Sequence, residues 1–364
     1  MDVMIENKNT KNTKLEFDIK NIDVSYVNSL RRVLLTEITT PVFKGFPHSD
    51  NNIDIKTNKT DFHNEYLKHR IENIPICLKN RTKIDALCKN YRYKLDVVNK
   101  TSEKIYVTTD DLKLYKISND EINEQNFLPV EIIDKNKYHI PICVLKPKIS
   151  VNDEPQELSL DIGICKGKPK DNSSWSIVSK SCFYNIKDED KISKIKKELD
   201  LNEFKSRDFD ILDSQRHFIK NSFHFILETV HVNISPMTII NEAFTYLINK
   251  FNEYLIKLDE TEIIQDHLII TNDKDILYYI IKTDNGYKLR LENECYTLGN
   301  IIKHQLSINE NIHIVSFNKN HDHDSYSFVN IILQDETYDI KLALSECFQN
   351  IIDIYTDLSK QMSN

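Results

Sequence analysis

His321-Asp322-His323-Asp324 is the densest run of metal-ligand side chains in the chain. In a strand, His321 and His323 would share a face and could offer two imidazoles to a divalent cation. The run falls where a hairpin loop is expected and has no third ligand at a recognisable spacing. Cys165, set between Gly163 and Gly167, carries an atom suited to covalent catalysis, yet no companion histidine is placed by a local pattern. His217, His224 and His231 recur every seventh residue but straddle a strand and a loop, which does not build a ligand set. Gly163 and Gly167 fit neither a P-loop nor a dinucleotide pattern, and no paired carboxylates stand out. The expectation is a chain with no metal, no cofactor and no catalysis of its own. The alternative from that class is a hydrolase or transferase built on the middle of the chain, with Cys165 or the His-Asp run at its centre.

A length of 364 residues suggests two or three domains and allows more than one core. Hydrophobic residues make up 40% and charged residues 29%, which argues against both a disordered and a membrane-embedded chain. No run approaches the roughly 18 apolar residues of a spanning helix, and the opening MDVMIENKNTKNTK lacks the apolar core of a secretory signal. The triplets beginning at Asn58 and Asn172 are therefore not expected to carry glycans. A net charge of −8 disfavours a protein whose main task is gripping phosphates. The seven cysteines are widely spaced with no CxxC, so they read as reduced thiols rather than a zinc ribbon or redox pair.

Periodicity sets out the helices and strands around these side chains. Residues 1–14 are polar and read as frayed. Leu15–Ile19 alternates like a strand, and Tyr26–Ile38 reads as a helix with Val27, Leu30, Leu34 and Ile38 in one stripe. Ile53–Ile55 reads as a short strand and Asp61–Ile71 as a helix with Glu65, Lys68 and Arg70 outward. From about Cys77 to Cys182 the texture is β-rich, with strands at Tyr91–Val98, Lys104–Thr108 and Leu158–Ile164. Lys187–Arg216 is charge-dense and reads as a solvated surface helix and loop. Phe223–Val232 returns as a strand. Ser235-Pro236 then opens a long helix carrying Ile240, Phe244, Leu247, Phe251, Leu255 and Leu258. Residues 259–277 read as a connector of about 19 residues, able to span roughly 25 Å. Beyond it come a hairpin turned at Asp284-Asn285-Gly286, a helix with Leu298, Ile301, Ile302 and Leu306 inward, and strands Ile312–Asn318 and Ser327–Gln334. A final helix carries a stripe of Leu344, Cys347/Phe348, Ile351, Tyr355 and Leu358.

Two blocks carry a family resemblance. Asn28-Ser29-Leu30-Arg31-Arg32-Val33-Leu34-Leu35, followed by His69-Arg70-Ile71-Glu72-Asn73-Ile74-Pro75-Ile76, resembles the signature of alpha-type assembly subunits of multisubunit RNA polymerases. These are the bacterial alpha subunit, its archaeal counterpart and the third subunit of eukaryotic polymerase II. Family members usually show Ala-His-Arg where this chain has Lys68-His69-Arg70. Glu157–Gly167 and Trp175–Val178 resemble the end of the domain that such subunits insert between the halves of their dimerisation domain. The close-set cysteines with which many relatives hold a metal there are missing here. Thr297-Leu298-Gly299-Asn300-Ile301-Ile302 resembles the smaller partner of that pair, as found in archaeal polymerases and as the eleventh subunit of polymerase II, with Cys295-Tyr296 in place of Asp-His.

The resemblance implies an α+β fold: two related dimerisation units on one chain, clasped as an intrachain pseudo-dimer, with a β-rich domain inserted in the first. The expected domains are 1–76 with 183–258, the insert 77–182, the connector 259–277, and 278–364. It implies that Asn28, Leu30 and Leu34 face Thr297, Leu298, Asn300 and Ile301, with Phe348 and Ile351 behind them. Arg31 and Arg32 would anchor the second-largest polymerase subunit, with His69 and Arg70 nearby. The implied function is a non-catalytic scaffold of a DNA-directed RNA polymerase, one copy per enzyme. Its partners would be the largest, second-largest and small subunits, without sequence-specific nucleic acid or membrane. Large DNA viruses that transcribe in host cytoplasm carry such fusions, which implies a viral factory and the virion as its location. A free-standing adaptor is the remaining alternative.

Overall fold

The computed structural model describes residues 3–123, 125–148, 150, 154–198, 203–265, 276–335 and 338–363. Eight α-helices occur among them: α1 (Val24–Thr36), α2 (Asn64–Glu72), α3 (Ile84–Asn90), α4 (Glu189–Glu198), α5 (Glu203–Ile211), α6 (Pro236–Leu258), α7 (Tyr296–Ser307) and α8 (Ile340–Ser363). The chain divides into two compact units. One comprises Met1–Leu34, Lys180–Glu228 and Pro236–Asn364; the other comprises Leu35–Ser179 and Thr229–Ser235. The boundaries differ from the sequence reading. The inserted unit begins at Leu35 rather than residue 77, whereas 278–364 shares a unit with the front of the chain, as a clasped pseudo-dimer requires.

The first unit holds two sheets. Met4–Lys11, Lys14–Lys20, Phe218–Thr229 and Val178–Lys187 lie side by side in that order. Lys14–Lys20 alternates in burial, and Phe17 faces Phe225 across the ladder with their rings stacked at 5.2 Å. Met4–Lys11 corrects the expectation of a frayed start. An edge strand is held by backbone pairing through a turn at Asn12, at positive φ, and needs no apolar pattern. The second sheet runs Ile263–Gln265, Tyr278–Thr283, Gly286–Glu292, Tyr326–Leu333, Ile312–Asn318. Ile263–Gln265 pairs in parallel with Tyr278–Thr283, so part of the expected connector is strand; residues 266–275 of that connector lie outside the described residues. In the hairpin Thr283 pairs with Gly286, whose Cα approaches the Ile331 carbonyl too closely for a side chain.

Each sheet carries one shorter and one long helix. Helix α1 starts where Asp23 Oδ1 accepts the Ser25 amide at 2.8 Å, and it ends at Thr36 rather than Ile38. Pro41 forces the preceding residue into extended backbone, and Thr40–Val42 is a strand. Helix α6 opens on Pro236, where the missing N–H costs nothing. In α7 the Gly299 of the Thr-Leu-Gly-Asn motif lies against the Phe317 ring, with no room for a Cβ. The charge-dense stretch forms two helices, α4 and α5, instead of one.

The inserted unit is built on an antiparallel sheet ordered Ile53–Asn58, Gln156–Gly163, Tyr91–Asn99, Lys113–Lys116, Ile122–Asn123. Leu160 sits between Ile55 and Leu95, and Tyr93, Leu95, Leu158 and Ile162 are buried with α2 residues Leu67 and Ile71. Lys68, expected outward, is instead buried, its ammonium 3.1 Å from Asn51 Oδ1. Four carbons of stem let a lysine follow an apolar wall inward, so helical periodicity alone misplaces it.

Long helices α6 and α8 pack along each other in the first unit. Phe348 of α8 meets Phe251 and Tyr254 of α6 and Tyr278 of the second sheet at 6.1, 5.7 and 6.1 Å between rings. Replacing Phe348 by Ala is expected to remove about 3–5 kcal/mol from the first unit. Chemical denaturation followed by far-UV circular dichroism measures it.

Candidate functional site

The residues singled out by the two sequence blocks meet inside the first unit. Ser29 Oγ of α1 donates to the Thr297 carbonyl at 2.5 Å, and Arg32 donates from Nε to Thr297 Oγ1 at 2.7 Å and from Nη2 to Cys295 Sγ at 3.3 Å. Tyr26 Oη donates to Gln305 Oε1 at 2.7 Å, and its ring lies edge-on to His304 at 6.0 Å. His304 Nδ1 is 3.7 Å from Asp23 Oδ2. Two short helices from opposite ends of the chain are therefore joined by α1 side chains that reach both the first and the last turn of α7. Tyr355 of α8 adds a buried bond from its hydroxyl to the Tyr26 carbonyl at 3.2 Å. Burial pushes the Tyr26 and Tyr355 phenols well above their ordinary range, which keeps both as donors.

The same seam runs on through aromatic contacts. Tyr26 and Phe244 both flank Tyr355, at 5.6 and 6.3 Å. Tyr278 Oη donates to the Tyr254 carbonyl at 2.8 Å, and Lys250 pairs with Glu294 at 2.9 Å. At the far end Gln361 of α8 grips the first strand: its Nε2 donates to the Val3 carbonyl and its Oε1 accepts the Ile5 amide, at 2.7 and 2.8 Å.

Leu30, Leu34, Leu298, Ile301, Phe348 and Ile351 are all buried. Asn300 is half-buried. Asn28 is half-buried and accepts from Arg31 Nε at 3.0 Å. The two adjacent arginines face different ways. Arg32 points into the seam, while the terminal nitrogens of Arg31 meet no acceptor among the described residues. His69 and Arg70 belong to the inserted unit. There His69 lies 5.3 Å from the Phe46 ring, and Arg70 donates to the carbonyls of Ile142 and Pro141 at 2.8 and 2.7 Å. Sequence reasoning missed Tyr26, Ser29, Gln305, Tyr355 and Gln361 as polar partners. The Ser29 position beside the Leu30 stripe was the one readable signal.

The chemical candidates are engaged in local structure. The His321–Asp324 run is a turn in which His321 Nδ1 accepts the His323 amide and Asp324 accepts the His321 amide. His224 pairs with Asp18 at 2.6 Å, His217 stacks on Phe209, and His231 Nδ1 accepts the Asn233 amide. Among the described residues no three His, Cys, Asp or Glu side chains are grouped as metal ligands. Burial raises the Cys165 thiol, which donates to the Val42 carbonyl at 3.7 Å, the opposite of an activated nucleophile. All seven cysteines are free. Burial pushes Cys77 up to about 12 and Cys143 up to about 11.

The fold and its seam thus define a class, a pairing module whose two partners are carried on one chain. Comparison with known proteins is specific. The model of the RNA polymerase Rpb3/Rpb11 dimerisation domain matches residues 16–251, and a second model of the same description matches 287–361. The chain belongs to that family and carries its dimerisation domain in tandem. It is 30% identical over 195 residues to a conjugation stage-specific protein of Tetrahymena thermophila, covering 48% of this chain and 57% of that one. It is 23% identical over 217 residues to subunit 3 of the DNA-directed RNA polymerases II, IV and V of Arabidopsis thaliana, covering 52% and 63%. The chain spans less than two thirds of either relative's length.

Two outcomes are expected. A protease site placed between residues 270 and 271 and cut after folding should leave both fragments co-eluting one to one on gel filtration, and Arg32→Ala should weaken their association. In the intact protein at pH 8, Cys77 and Cys143 should resist iodoacetamide until denaturant is added, read by peptide mass spectrometry, because raised pKa values leave little thiolate.

Proposed function

We propose that this chain is a non-catalytic assembly subunit of a multisubunit DNA-directed RNA polymerase, a pseudo-heterodimer that serves as the platform for the two largest subunits. The observation that carries the reading is the seam between α1 and α7, where Ser29 and Arg32 close on Thr297 inside a tandem of the family's dimerisation domains. Pairing in the family buries apolar helices between partners. Here both partners are tethered, which replaces association of two chains by an effective concentration of about millimolar. Arg31 is the anchor we assign to the second-largest subunit. Arg32 beside it is bonded within the chain, whereas the Arg31 terminal nitrogens remain available for charge-assisted bonds. We place the protein in viral transcription in host cytoplasm and in the virion, at one copy per polymerase; the two partner-like halves on one polypeptide support that placement.

Arg31→Ala should leave circular dichroism and gel-filtration behaviour unchanged while abolishing co-purification with the two largest subunits of the cognate enzyme. Undiminished co-purification overturns the assignment of Arg31. Recovery of the chain from infected cells without any very large partners overturns the platform reading and favours a free-standing adaptor.

A further inference from the structure

Among the described residues Lys68 is the one lysine buried in the inserted unit, at 8% exposure, and its ammonium has a single partner, Asn51 Oδ1 at 3.1 Å. Among those same residues no carboxylate lies within ion-pair distance of it. Glu72, one turn further along α2 and itself buried, accepts instead from Asn172 Nδ2 at 3.0 Å. A buried ammonium with three donors and one neutral acceptor is costly unless an anion reaches it.

The fold leaves room for that anion. Lys68 lines a cavity of about 790 Å³ between α2, the segment 46–55 and the sheet. The volume lies within the range of ligand sites, roughly 300–1,000 Å³. Arg92 also lines the cavity, but its terminal nitrogens are already bonded to Asp161 and Asp120, which leaves Lys68 as the cation without a carboxylate. Asn64 Oδ1 is taken by Asn58, which leaves the Asn64 amide N–H groups as donors at the same cavity.

The chemistry of the walls narrows the ligand. Phe46, Ile55 and Ile117 give it an apolar lining. Asp54 and Glu65 also border it, with Asp161 already paired to Arg92, so a doubly charged phosphate would meet two further carboxylates and only one unmatched cation. We propose that this cavity binds a singly charged carboxylate attached to an aliphatic body, with Lys68 as counter-ion and the Asn64 amide as a flanking donor. Such a group is supplied either by a free aliphatic acid or by a glutamate flanked by apolar residues on another polypeptide.

The full chain is titrated calorimetrically with two pairs of probes. One is acetyl-Gly-Leu-Glu-Leu-Gly-amide and its Gln counterpart; the other is 4-methylpentanoate and 4-methylpentanamide. The expected result is saturable binding of at least one acid, about tenfold or more tighter than its amide, since a charge-assisted bond is lost in the amide. Binding of the peptide alone identifies a polypeptide source, and binding of the small acid identifies a free one. Lys68→Met should abolish the preference. Equal binding of acid and amide in both pairs, or no binding of either acid, overturns the proposal on the unmodified chain, whether or not the variant folds. Undiminished binding by a folded Lys68→Met overturns it as well. Polymerase co-purification is a separate readout that none of these outcomes touches.

Discussion

Everything in the first unit depends on one constraint: a small sheet with two helices cannot cover both apolar faces of its long helix. Helix α6 has Phe244, Leu247, Phe251 and Tyr254 fully buried, and α8 has Leu344, Phe348, Ile351 and Tyr355 fully buried. The two helices cover each other. Each such side chain contributes about 1.5–3 kcal/mol when removed from water, so separating the halves would expose a surface too apolar to stand alone. Fusion makes the pairing intramolecular and lowers its entropic cost.

Apolar burial sets the strength of that pairing but not its register. The polar bonds do that. Ser29 and Arg32 fix α1 on the first turn of α7, Tyr26 reaches Gln305 about two turns further along that helix, and Gln361 closes α8 on the first strand. A sliding helix pair would leave the Tyr355 hydroxyl without the Tyr26 carbonyl in a dry interior. An unmet buried donor costs about 1–3 kcal/mol. One consequence is that Arg32 bonds across to Cys295 and Thr297, while its neighbour Arg31 bonds along its own helix to Asn28.

The inserted unit follows different rules. Its sheet makes a core from alternating residues, and α2 covers part of that core with Leu67 and Ile71. The charges of α2 are split: Arg70 is stapled to backbone carbonyls, while Lys68 and Glu72 are buried with neutral amide partners.

The stripes of α1, α6, α7 and α8, and the strands at Lys14–Lys20, Phe218–Thr229, Tyr278–Thr283, Gly286–Glu292, Ile312–Asn318 and Tyr326–Leu333, were readable from residue order, because each follows from a local period of 3.6 or 2. The hairpin at Asp284-Asn285 and the start of α6 at Pro236 were readable from single-residue backbone chemistry. The family motifs placed Thr297 opposite the Asn28–Leu35 helix ahead of any tertiary contact. Three-dimensional packing alone decided the rest. It paired Met4–Lys11 as an edge strand, drew Ile263–Gln265 into the second sheet, moved the insert's start to Leu35 and turned Lys68 inward. Those outcomes rest on contacts between residues far apart in the chain, and no local pattern encodes which long side chain finds its partner across a fold.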